Sequence, residues 1–141
     1  MTGKISGVEL AGIRKSVLRM TQREIAESLG VCMVTVSKHE NCDNPAPLYV
    51  SAVRWLAIEN TMHAIQHDDP LSNVAIRHGN DVVAEREKIG VGKTGMAAFF
   101  GVSTRTITRL EKRKSVPSLW AHAIRYFIFT TRTMESLCAN K

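Results

Sequence analysis

No run of apolar residues in this 141-residue chain approaches the roughly 20 needed to cross a bilayer; those at 96–100 and 126–129 are far too short. Residues 1–10 lack a basic patch followed by an apolar stretch, so no secretion signal is expected. Cysteine is scarce: Cys32, Cys42 and Cys138 are too few and too irregularly spaced for a disulfide framework, which points to a reducing cytoplasm. With only 9 Gly and 4 Pro, 44% hydrophobic and 23% charged residues, the composition is neither collagen-like nor disordered. The length suits one ordinary domain or two very small ones.

What the chain has in excess is positive charge, a formal +6 with a pI near 9.6. Residues 1–70 hold seven Lys/Arg against eight acids, a net −1, and residues 71–141 hold twelve against five, a net +7. Five bases (Arg105, Arg109, Lys112, Arg113 and Lys114) crowd into ten residues. A charge run alone reads as a solvated helix face, and a basic total alone points only weakly to a polyanion. What coincides with the cluster decides its meaning.

The chain repeats itself. Shifted by 71, residues 21–54 align with 92–125 without a gap: Ala26 meets Ala97, Gly30 meets Gly101, Val31 meets Val102, Thr35 meets Thr106 and Glu40 meets Glu111. Apolar positions agree too, with Ile25 facing Met96, Leu29 facing Phe100 and Val36 facing Ile107. Two copies of one small helical unit explain this economically.

Local signals describe the unit. Thr21 and Glu24 form a capping box that satisfies orphan donors at a helix start. Ile25, Ala26 and Leu29 share one helical face, and Gly30 stands where a helix ends in a left-handed turn. A second helix is expected over 33–40, a loop rich in Asn, Asp and Pro over 41–47, and a longer helix over 48–66; residues 9–18 form the first helix. The second copy is expected at 81–88, from about 92 to Gly101, at 104–111 with Ser103 as N-cap, and at 118–137. Residues 69–80 read as a linker or short helix, and 126–131 carry enough β-propensity to compete with helix.

Residues 20–40 (MTQREIAESLGVCMVTVSKHE) resemble the helix-turn-helix of the lambda-repressor/Cro (XRE-type) family, and 91–111 resemble a diverged second copy. The resemblance spans about residues 9–66 and 81–130. It implies an all-α fold of two tandem helix-turn-helix units of four to five helices each, at residues 1–68 and 81–141, with a long C-terminal helix. It further implies that helices near 33–40 and 104–111 enter the major groove. Their outward positions are Cys32, Met33, Val34, Ser37 and Lys38 in the first, and Ser103, Thr104, Arg105, Thr108 and Arg109 in the second, with Lys112 and Arg113 following. Arg105 and Arg109 suit guanine edges or phosphates; Met33 and Val34 offer only apolar contact, as to thymine methyls. By the same resemblance Gln22 and Lys93 hold a phosphate, and Lys15 with Glu40 and Arg86 with Glu111 form structural pairs. His39 departs from the family, whose apolar slot Leu110 fills in the second copy.

Other constellations carry less. Gly92-Lys93-Thr94 lacks the earlier glycine and the strand of a phosphate-binding loop. Cys32, His39 and Cys42 do not have the spacing of a standard zinc site, and His63 and His67, one helical turn apart with Asp68 beside them, read as an exposed helix face. No catalytic arrangement stands out, and no cofactor or small-molecule ligand is evident. The expectation is a cytoplasmic, nucleoid-associated transcription regulator, most simply a repressor, bound to a double-stranded DNA operator. The apolar faces of the long last helices would also suit a homodimer; alternatively, the two motifs of one chain would imitate a dimer by contacting two non-identical half-sites about one DNA turn apart. The alternatives are an antitoxin-like module whose near-neutral first copy docks a protein, and a nonspecific architectural binder.

Overall fold

The computed structural model describes residues 4–66, 71 and 74–139. Among them the chain is all-α, with no strand. Helix α1 (Gly7–Gly12) starts where the Ser6 hydroxyl accepts from the Glu9 N–H at 3.3 Å, and runs straight into a π-helical segment, Ile13–Leu18. Helix α2 (Gln22–Leu29) opens on the expected capping box: the Thr21 hydroxyl accepts from the Glu24 N–H, and the Glu24 carboxylate from the Thr21 N–H, both at 3.1 Å. It buries Ile25, Ala26 and Leu29 and stops at Gly30, whose φ of 67° costs glycine little. Helix α3 (Met33–Glu40) starts at Cys32 without a side-chain cap, and α4 (Pro47–Ala64) starts on a proline, whose absent N–H is an orphan there anyway.

The second half repeats the order. Helix α5 (Gly79–Lys88) is capped by Asp81, whose carboxylate accepts from the Arg77 and His78 N–H groups at 3.0 and 2.8 Å. Helix α6 (Lys93–Phe100) ends at Gly101, φ 66°; α7 (Thr104–Glu111) is capped by the Ser103 hydroxyl, and α8 (Ser118–Ala139) closes the chain. The β-prone stretch 126–131 lies inside α8, where burial of Tyr126, Phe127 and Ile128 overrides local propensity. The expected linker starts partly outside the described residues, at 69–70 and 72–73. What is described of it is non-helical and anchored: Leu71, Val74 and Ile76 are buried, the Arg77 carbonyl accepts from the Val116 N–H at 2.9 Å, and helix begins at Gly79, not at Asp81.

In each half the first helix butts against the end of the third. The Gly7 N–H donates to the Cys42 carbonyl and the Gly79 N–H to the Arg113 carbonyl, both at 2.9 Å. A Cβ on Gly7 would fall 2.5 Å from the Glu40 carbonyl oxygen, and one on Gly79 would meet the Glu111 carbonyl even more closely. Gly79→Ala should therefore cost about 1–3 kcal/mol through overpacking. Gly12→Ala, on a helical residue with nothing within 4 Å, should instead stabilise by about 0.5–1 kcal/mol. Urea midpoints check both; equal midpoints for the two variants would contradict this packing.

Gly7 and Gly79 are 72 residues apart, whereas Gly30 and Gly101 are 71 apart. The first half thus carries one extra residue between its first and second helices, and the π-helical segment absorbs it. The Arg14 carbonyl accepts from the Met20 N–H at 3.0 Å, while the equivalent loop, Arg86 carbonyl to Val91 N–H, is one residue shorter. This corrects one sequence-based pairing: Lys15 is exposed, and Arg14 faces Glu40. A constant shift of 71 cannot see an insertion wound into a helix.

The two halves pack along α4 and α8, with α2 against α8 and α6 against α4. The contacts come in reciprocal pairs. The Gly30 turn lies against Ser118, the first residue of α8, and the Gly101 turn against Pro47, the first residue of α4. A Cβ on Gly30 would lie 3.3 Å from Ser118 Cβ, and one on Gly101 would lie 3.1 Å from Pro47 Cγ. His122 Nε2 meets the Ser28 carbonyl at 3.2 Å; their counterparts, Ser51 and Phe99, together line a cavity of about 360 Å³. Trp55 and Phe129 meet across the seam with ring centroids 6.0 Å apart and planes tilted by 58°, and the buried residues form one continuous core. The apolar faces that the sequence offers for a homodimer meet here within one chain.

Candidate nucleic-acid interface

Helix α7 is held from behind and open in front. Ile107, Leu110 and Glu111 are buried. Arg86 fixes its end: Nε and Nη2 donate to the two Glu111 carboxylate oxygens at 2.7 and 3.3 Å, and Nη1 donates to the Val91 carbonyl at 3.1 Å. On the other face Ser103, Thr104, Arg105 and Arg109 are exposed, and Lys112, Arg113 and Lys114 continue the exposed basic run past the helix end. Arg105 and Arg109 stand one turn apart, and neither side chain pairs with a described residue. Thr108 is half-buried and donates to the Thr104 carbonyl at 3.1 Å. Lys93, at the start of α6, reaches this face, with Nζ 3.4 Å from the Thr108 hydroxyl and 3.8 Å from Glu111.

The equivalent face of α3 has the same frame and different chemistry. Val36 and Glu40 are buried, and Arg14 donates to Glu40 through Nε at 2.7 Å and Nη2 at 2.9 Å. Met33 is 48% exposed and Val34 75%, so the outward surface is mostly apolar, with Lys38 its one exposed charge. Cys32 is exposed beside the Thr35 hydroxyl at 3.2 Å, and hydrogen bonds from Thr35 hold its thiol below the ordinary value. Ser37 is half-buried and accepts from the Asn41 amide at 3.2 Å. Gln22 is half-buried as well and donates to Glu40 at 3.2 Å, so its amide is engaged within the protein. His39, the counterpart of buried Leu110, stacks on Tyr49 at 4.2 Å, and burial followed by the Lys38 charge lowers its pKa.

The structure thus gathers the sequence-selected residues on two equivalent surfaces. Gln22, Ser37 and Thr108 are partly withdrawn. Arg14 escaped the sequence reading; the signal available was the shift from 71 to 72 that aligns Gly7, Leu10 and Arg14 with Gly79, Val82 and Arg86. Among the described residues no three His, Cys, Asp or Glu side chains converge as metal ligands, and His67 of the considered His63/His67 pair lies outside them. No helix among the described residues is long and apolar enough to cross a membrane. No protein-family model, curated protein or solved structure matches the chain.

Proposed function

We propose that the protein is a sequence-specific regulator of transcription that reads the major groove of duplex DNA with α3 and α7, in the manner of the lambda-repressor/Cro family it resembles. The observation that carries this reading is the outward face of α7. Two exposed arginines one turn apart, with no partner among the described residues, project from a short helix whose opposite face is locked into the core. That is what bidentate contact with guanine edges requires. The basic run after α7 suits the flanking phosphates, and Lys93 adds a charge from the preceding helix. Repression is the simplest action, because occluding a promoter needs no further ligand site. Such a protein works in the cytoplasm, at the nucleoid.

The test is selection of duplexes from a random pool, followed by footprinting and a salt titration. A single enriched motif is expected. With about five phosphate contacts, affinity should fall roughly 10²–10³-fold between 50 and 200 mM salt. Equal affinity for unrelated duplexes would leave only nonspecific architectural binding. A second reading draws on the exposed Met33 and Val34, which give α3 the apolar surface of a protein-docking helix, as in an antitoxin-like module. Met33→Ser with Val34→Ser decides between them: weakened operator binding supports DNA contact, and unchanged binding supports a protein partner.

A further inference from the structure

Resting on the DNA-binding reading, we infer that a single chain occupies a complete operator, built of two half-sites of unlike sequence, and that the seam between its halves does the work of a dimer interface. The reciprocal contacts carry the inference. Gly30 against Ser118 is mirrored by Gly101 against Pro47, and α2 against α8 by α6 against α4. When contact i–j is matched by contact j–i, two units are related by a two-fold axis, the arrangement by which homodimers present two equal readers to DNA. Here the axis is internal.

The seam also fixes both readers. Helix α3 begins three residues after Gly30 and α7 three after Gly101, so each reading helix starts within about 10 Å of chain from a turn that touches the other half. One core runs through both halves. The two reading surfaces are therefore held at one spacing and one relative orientation, and the second binding step becomes intramolecular.

The surfaces are unequal, which makes the half-sites unequal. Helix α7 offers Arg105 and Arg109, suited to guanines; α3 offers Met33 and Val34, suited to thymine methyls, with Lys38 as its exposed charge. The operator is a false palindrome: a G-containing half and a T-rich half in adjacent major grooves on one side of the duplex, about one helical turn apart.

The experiment uses the full chain and the duplex recovered from a random pool. Native mass spectrometry should find one chain per duplex. A 5-bp insertion between the half-sites turns one of them to the opposite side of the helix and should reduce affinity about 100-fold, to that of one half-site. Arg105→Ala with Arg109→Ala should erase selectivity in the G-containing half alone, and Met33→Ser with Val34→Ser in the other half alone. Two chains per duplex, identical half-sites that both answer to the arginine variant, or indifference to the insertion would overturn this inference while leaving DNA recognition intact. Recovery of no specific duplex would overturn both readings.

Discussion

Replacing Arg105 and Arg109 together with alanine should lower affinity for the selected operator by about 10²–10⁴-fold, the largest effect expected of any pair of surface substitutions in the protein. A bidentate arginine–guanine contact discriminates by about 1–3 kcal/mol, and the two residues stand far enough apart to touch different bases. The folded state should hardly notice. Both side chains are exposed and pair with no described residue, so the urea midpoint should correspond to a stability change within about 0.5 kcal/mol. That separation makes the measurement decisive, because lost affinity cannot then be assigned to lost structure. Lys112→Ala and Arg113→Ala provide the contrast. As phosphate contacts they should weaken all duplexes alike and reduce the salt slope by about one each. Specific affinity unchanged in the double arginine variant would remove α7 from the interface.

Much of this arrangement is legible in the chain, and what is not shares a physical cause. The Thr21/Glu24 cap, the Gly30 and Gly101 turns and the Ser103 cap involve neighbours in sequence, so residue identity alone specifies them. The buried faces of α2, α3, α6 and α7 follow from helical periodicity, which is equally local. Periodicity also says that α4 and α8 are apolar, but not what they cover. Reciprocal packing at Gly30–Ser118 and Gly101–Pro47 is a long-range event, written nowhere in either segment. The exposed arginines of α7 were visible as charge, yet the withdrawal of Gln22 was not, because its partner Glu40 lies 18 residues on. His39 looked misplaced in an apolar slot until Tyr49, from the next helix, came to stack on it. The π-helical insertion is the sharpest case: one residue added between Arg14 and Met20 shifts the register of everything before it, so that Arg14, not Lys15, is the counterpart of Arg86.

That pairing carries the second large expectation, a loss of about 3–5 kcal/mol for Glu40→Ala. Arg14 is a buried guanidinium whose Nε and Nη2 both point at Glu40, and whose Nη1 donates to the Met20 carbonyl at 2.9 Å. Removing the carboxylate strands that charge in the core and frees the end of α3, to which Gln22 is also tied. Thermal denaturation should show a midpoint lower by roughly 10 °C. Replacing Arg14 and Glu40 together with leucine should recover most of the loss, because an apolar pair leaves no stranded charge. Glu111→Ala should carry a similar cost, since the Arg86 side chain is nearly as enclosed as that of Arg14, 12% against 9% accessible. Acid should reproduce the effect. Burial pushes the Glu40 carboxyl up, but hydrogen bonds from Arg14 and Gln22 and the charges of Arg14 and Lys15 outweigh it, so the folded-state pKa lies below the ordinary 4.5. Between that lowered value and 4.5 the unfolded chain binds more protons than the folded one, so stability rises with pH. The contribution is complete above 4.5 and is lost as pH falls through the folded value. Glu40→Gln, which keeps acceptor and shape without the charge, should be less stable at pH 7 and should show a flatter decline in urea midpoint between about pH 5.5 and 3 than the parent. An equally steep decline in the variant would place the acid sensitivity elsewhere, for example at Asp81, whose pKa is also lowered by hydrogen bonds from the His78 and Arg77 N–H groups.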